Sequence, residues 1–134
     1  MTTPASHLDP MIPKTILVVD PKPSDYDCLL PAAAAEGCEV RFFAAGRAVL
    51  RHRREMRGGL VIINVELPDL SGFDLVEMLQ PFPTGTAVFL VADRYAVEDE
   101  VRALRLGVSS YLCKPLEGSV FHECRSIQRA LADC

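Results

Sequence analysis

Leu60–Val65 reads LVIINV: five of six residues are apolar, four of those are β-branched, and the asparagine, Asn64, stands near the carboxyl end. The run is too short for a buried helix and shows no alternation. A strand covered on both faces of a parallel sheet must be apolar in this continuous way. Thr15–Val19 (TILVV) and Ala87–Val91 (AVFLV) share the pattern, and Cys38–Phe43 (CEVRFF) and Ser110–Cys113 (SYLC) are shorter or more mixed strand candidates.

The segments between these runs have helical character. Ser24 is placed to cap a helix over Asp25–Glu36, in which Pro31 should remove one backbone bond and introduce a kink before Gly37 ends it. Gly46–Arg57 and Ser71–Gln80 follow, the second stopped by Pro81 and Pro83. In Ala96–Leu106, Val97, Val101 and Leu104 recur at i, i+4, i+7, which predicts one buried stripe, with Gly107 as the stop. Ser119–Ala132 repeats Val120, Cys124, Ile127 and Leu131 at the same spacing. Strands alternating with helices predict right-handed crossovers and an α/β fold, a doubly wound five-stranded parallel sheet. Chemistry in such sheets collects at the carboxyl ends of the strands. Asp20, Asn64 with its following loop, Ala92 and Lys114 lie at or near those ends.

Composition narrows the class. The 134 residues are 49% hydrophobic and 24% charged, enough apolar material for one core, and residues 1–13 read as a tail before a single domain over 14–134. No apolar run approaches the ~20 residues of a membrane helix, and the first residues lack the pattern of a secretory signal. A net charge of −4 gives no broad basic footprint for nucleic acid. Cys28, Cys38, Cys113, Cys124 and Cys134 are odd in number and never spaced CxxC, which suits free thiols in a reducing cytoplasm. His7, His52 and His122 fall on separate segments and form no ligand cluster. Arg47, Arg51, Arg53, Arg54 and Arg57 read first as a solvated face.

Over about residues 15–132 the sequence resembles the CheY-like receiver domains of bacterial two-component response regulators. The resemblance rests on ILVVD (Ile16–Asp20), VIINVELPDLSGFDLVEML (Val61–Leu79), FLVAD (Phe89–Asp93) and GVSSYLCKPL (Gly107–Leu116). It implies a flavodoxin-like sheet of order 2-1-3-4-5. It also implies the phosphorelay chemistry of an active receiver. There, a carboxylate ending the third strand accepts a phosphoryl group, and acids after the first strand help to hold Mg²⁺. A hydroxyl after the fourth strand and a lysine after the fifth bind the phosphoryl oxygens.

The sequence departs from that pattern at three of five positions. Asn64 replaces the acceptor aspartate, Pro21 replaces the second acid of the first pair, and Ala92 replaces the switch hydroxyl. A slip of one residue would put Val91 there instead, and neither side chain carries a hydroxyl. Asp20, Lys114 and the aromatic position Tyr111 are intact, and Leu67 and Pro68 mark the turn after the third strand. An amide is no nucleophile toward phosphorus, and a hard cation wants carboxylates, so Mg²⁺ is expected to bind weakly or not at all, with Asp20 and Glu66 as the residual metal ligands. Lys114 is free to pair with Asp20 or to donate to the Asn64 oxygen.

The resemblance therefore implies a degenerate, phosphorylation-independent pseudo-receiver, not an enzyme, acting as a cytoplasmic protein-interaction module. Its partner would be another signalling protein or an output domain of a longer chain. The face made by the fourth helix, fifth strand and fifth helix (Val97, Arg102, Arg105 and Tyr111) is the expected partner or homodimer surface. Neither membrane nor direct nucleic-acid binding is expected. Because the sequence stops two residues after Ala132, no output domain is expected within it. Phosphorylation on a neighbouring acid (Asp20, Glu66 or Asp69) and a small-molecule role for the vacated pocket remain the alternatives.

Overall fold

The structure, a computed structural model, describes residues 15–117. The tail, the expected helix Ser119–Ala132, His7, His122, Cys124 and Cys134 lie outside the described residues. Five strands form one parallel sheet: β1 (Thr15–Val19), β2 (Glu39–Phe43), β3 (Leu60–Asn64), β4 (Ala87–Ala92) and β5 (Ser110–Cys113), in the order β2-β1-β3-β4-β5. The described helices are α1 (Leu30–Ala35), α2 (Gly46–Val49), α3 (Gly72–Leu79) and α4 (Val97–Arg105). This is the expected flavodoxin-like frame.

Alternate residues of the central strands feed two cores. Ile16, Val18, Ile62 and Phe89 pack with Tyr26, Leu29 and Ala33 on one face, whereas Leu17, Val19, Ile63 and Leu90 pack with α2 and α3 on the other. Because both faces are covered, every position of β3 and β4 is buried. Removing one such side chain, as in Ile62→Ala, should cost about 2–5 kcal/mol.

Three helical expectations are corrected. Asp25–Glu36 is not one kinked helix capped by Ser24. A 3-10 segment over Pro23–Leu29 precedes α1, and Pro31 falls in the first turn of α1. There its missing N–H costs no helical bond. Gly46–Arg57 likewise breaks after four residues into a 3-10 segment, Leu50–Met56, with a kink at His52. Tertiary contacts favour the tighter path. The His52 ring meets Phe43 at 4.9 Å, Arg53 donates to the Leu79 carbonyl, and Met56 is buried.

The third correction concerns α4. Its apolar stripe has helical spacing but the opposite phase: Val97, Val101 and Leu104 are 54%, 42% and 60% exposed, and Ala103 is the residue that packs inward. The small Ala103 side chain sits in the core beside Val108, while Arg102 lies over the Phe73 ring at 4.4 Å. Ser71 caps α3, accepting from the Phe73 N–H, and Gly107 ends the α4 region as expected, at a φ of +81°.

Candidate functional site

Register brings the site together. β1 ends level with β2 and β3, where Val19 pairs with Phe43 and Ile63; Asn64 is paired with Val91, and Ala92 with Cys113. The next backbone bonds, from Asp20 N to Phe43 O, Val65 N to Val91 O and Lys114 N to Ala92 O, extend the ladder by one step. Asp20, Asn64, Asp93 and Lys114 therefore emerge along one carboxyl edge.

Asp20 is buried, and both its oxygens are engaged. Oδ1 accepts from Lys22 N at 2.8 Å. Oδ2 accepts from the Tyr26 hydroxyl and from Asn64 Nδ2, each at 2.8 Å, and lies 2.9 Å from Lys114 Nζ. The turn through Pro21 and Pro23 folds Tyr26 back under the strand end, where its ring is fully buried. Asn64 also donates to Asp93 Oδ1 at 3.2 Å, and its own oxygen accepts from Glu66 N at 2.7 Å. Lys114 is shared by three carboxylates: Asp25 at 2.8 Å, Asp20 at 2.9 Å and Asp93 at 3.0 Å.

The electrostatics follow from these contacts. Burial pushes the Asp20 carboxyl up, but hydrogen bonds from Asn64, Lys114, Lys22 and Tyr26 outweigh it and hold the group below its ordinary value. The Lys114 hydrogen bond comes first in holding Asp93 low. Burial disfavours the Lys114 ammonium, yet Asp25, Asp20 and Asp93 raise it well above the ordinary lysine value. Tyr26 is pushed up by burial and by the Asp20 charge, so it stays a neutral donor.

Of the sequence-derived residues, Asp20, Asn64 and Lys114 meet in one network. Ala92 is buried at the end of β4 and contributes its carbonyl, and Pro21 is exposed and offers no donor. Glu66 is exposed; with Val65, Asp93, Arg94 and Asp99 it lines a shallow cleft of about 250 Å³. Lys114 pairs with Asp20 rather than donating to the Asn64 oxygen, which serves Glu66 N. Asp69 is committed elsewhere: its two oxygens accept from Gly46 N and Arg47 N, each at 2.9 Å. Tyr111 is half-buried, with its hydroxyl accepting from Ala96 N at 3.3 Å and its ring edge-on to Tyr95. Val97, Arg102 and Arg105 stand apart from the network, along a groove on α4 of about 410 Å³.

The sequence reading missed Tyr26, Asp25 and Asp93 as pocket residues. Asp93 carries the plainest signal, since it directly follows Ala92 at a strand end. Among the described residues Cys28, Cys38 and Cys113 form no disulfide, and no helix is long and apolar enough to cross a membrane.

A parallel 2-1-3-4-5 sheet with acidic, amide and lysine side chains converging at its carboxyl edge is a flavodoxin-like fold with a polar site at the strand ends. Residues 16–124 match the response regulator receiver domain, and the chain belongs to that family. It is 33% identical over 103 residues to the "Probable transcriptional regulatory protein TcrX" of Mycobacterium tuberculosis, covering 77% of this chain and 44% of that protein. Identity to the transcriptional regulatory protein CreB of Escherichia coli is 29% over 102 residues, 76% of this chain and 44% of that one. The chain thus spans less than half the length of these relatives. In structure it is similar to a CheY-like receiver domain protein from Methanospirillum hungatei, with a TM-score of 0.69, 25% identity, and coverage of 90% of this chain and 95% of that one.

Proposed function

We propose that this receiver lacks the phosphoacceptor and works without phosphoryl transfer, as a protein-interaction module of a two-component-type pathway in the cytoplasm. The observation that carries the reading is the Asn64 amide, donating to Asp20 and Asp93 where the family places its nucleophilic carboxylate. An amide nitrogen held between two carboxylates has no anionic lone pair to offer phosphorus. Ala92 offers no hydroxyl to a phosphoryl oxygen.

Mg²⁺ does not fit this donor set. Asp20 already accepts four hydrogen bonds, and the Lys114 ammonium takes the position of a local cation among Asp20, Asp25 and Asp93. A divalent ion would have to displace a tethered charge and break a satisfied network. The pocket is thereby held in one arrangement. Its readout passes to surfaces such as the α4 groove, where Val97 and Val101 lie exposed beside Arg102 and Arg105, a composition suited to a protein partner or a second copy.

The test is incubation with acetyl phosphate and Mg²⁺, followed by intact mass. No phosphoryl adduct is expected. A stoichiometric, hydroxylamine-sensitive adduct on Asp20, Glu66 or Asp69 would overturn the proposal.

A further inference from the structure

Charge is strongly segregated in this chain. Between Arg41 and Arg57 lie six of its fourteen Lys and Arg residues, all arginine, against one acid, Glu55. The rest of the chain holds eight cations against seventeen acids. The net charge of −4 therefore hides a cationic edge on a strongly acidic body.

The edge runs along α2 and the 3-10 segment Leu50–Met56. Arg41 and His52 are occupied internally: both hold the Glu55 carboxylate, His52 Nδ1 at 2.7 Å. Arg53 Nε donates to the Leu79 carbonyl at 3.0 Å. Arg51, Arg54 and Arg57 are exposed and make no hydrogen bond or ion pair among the described residues, and Arg47 is exposed with its charge facing the Asp69 carboxylate. Arg51 and Arg54 are three residues apart on the kinked 3-10 segment, and Arg57 follows directly after it.

We propose that this arginine edge docks an extended acidic segment of a partner protein. Guanidinium forks match carboxylates bidentately, and on the same surface the Glu55 carboxylate is already held by Arg41 at one oxygen and His52 at the other. Other polyanions fit less well. Single-stranded nucleic acid needs exposed aromatic rings for stacking; residues 46–57 contain none, and the His52 ring is packed on Phe43. A long nucleic acid would also run across the acidic body. A membrane surface calls for apolar insertion, and none of the large exposed apolar side chains falls between Gly46 and Arg57.

The probe is a fluorescein-labelled dodecapeptide of alternating Glu and Ser, added to the full chain at low salt. Binding should perturb backbone amide shifts within 46–58 and weaken as salt rises. Arg51→Glu/Arg54→Glu should weaken it roughly tenfold or more, while the control Arg94→Glu, on the loop before α4, leaves it unchanged. Retained shift dispersion shows that both variants fold. The proposal is overturned by any of four results: no peptide binding; shifts spread equally over Arg94, Arg102 and Arg105; tighter binding of an oligodeoxynucleotide of equal charge or of phosphatidylglycerol vesicles; or self-association abolished by the double variant without peptide binding.

Discussion

Asn64 Nδ2 lies 2.8 Å from Asp20 Oδ2, so a neutral donor bridges two strand ends that would otherwise present carboxylates to each other. The same nitrogen reaches Asp93. Asn64→Asp would turn both attractions into repulsions inside a buried site. It should lower stability by about 2 kcal/mol at pH 7. Millimolar Mg²⁺ should restore part of that loss in the variant and leave the parent chain unchanged. Urea unfolding with and without the ion is the check. A variant as stable as the parent in the absence of metal would show that the amide bridge contributes nothing.

Lys114 sets the pH dependence of the network. Asp20 and Asp93 are held below the ordinary carboxylate value of 3.8, so their contribution is full above that value and is lost as pH falls through the lower, folded-state value. Lys114 is raised above 10.5, so its contribution is full below 10.5 and is lost only as pH rises through the higher folded-state value. The network should therefore add a constant amount between about pH 5 and about pH 10. Lys114→Met leaves Asp20 buried without its cation and should cost on the order of 3 kcal/mol on that plateau. The penalty should shrink toward pH 3 as the carboxylates protonate. Equal penalties at pH 7 and pH 3 would mean that Lys114 acts by packing alone.

The frame is legible because continuous β-branched runs have one economical use, as strands covered on both faces, and because a parallel order aligns their carboxyl ends. That is enough to bring Asp20, Asn64 and Lys114 to one edge. Tyr26 and Asp25 are harder to see. They reach the site only because the Pro21–Pro23 turn and a 3-10 segment fold them back, and no periodicity encodes that. The phase of α4 is hidden for a related reason: spacing at i, i+4, i+7 says that residues share a face, but the fit of Ala103 against the core decides which face turns inward.

That phase has a measurable consequence. If Val101 and Leu104 were core residues, polar replacement would cost several kcal/mol. They are exposed, so Val101→Ser and Leu104→Ser should each shift stability by no more than about 0.5 kcal/mol, whereas Ala103→Leu should destabilise by about 1–3 kcal/mol through overpacking. Thermal unfolding of the three variants side by side decides it. A large loss for Leu104→Ser would place the stripe inside.

Gly72 links helix placement to the pocket. In an exposed helix, glycine to alanine ordinarily stabilises by about 0.5–1 kcal/mol, because the unfolded chain loses freedom. Here the first residue of α3 is pressed against the end of β3. A Cβ on Gly72 would sit 2.2 Å from the Asn64 carbonyl oxygen and 2.9 Å from Val65 Cα. Both are backbone atoms, and Gly72 N donates to the Val65 carbonyl at 2.9 Å, so neither side can yield without moving the strand end. Gly72→Ala should therefore reverse the usual sign and destabilise by about 2–3 kcal/mol. It should also reach the network, because the backbone that must move carries the Asn64 side chain that donates to Asp20. The side-chain amide resonances of Asn64 should shift, and the Asp20 carboxyl should titrate closer to its ordinary value as that hydrogen bond lengthens. Gly37 has nothing within 4 Å of the corresponding Cβ position and lies outside the site; Gly37→Ala should lose stability through its φ of +76° alone and leave the Asn64 resonances in place. If Gly72→Ala proved neutral, or if both variants moved Asn64 alike, the close approach of α3 to β3 would not be what positions the amide.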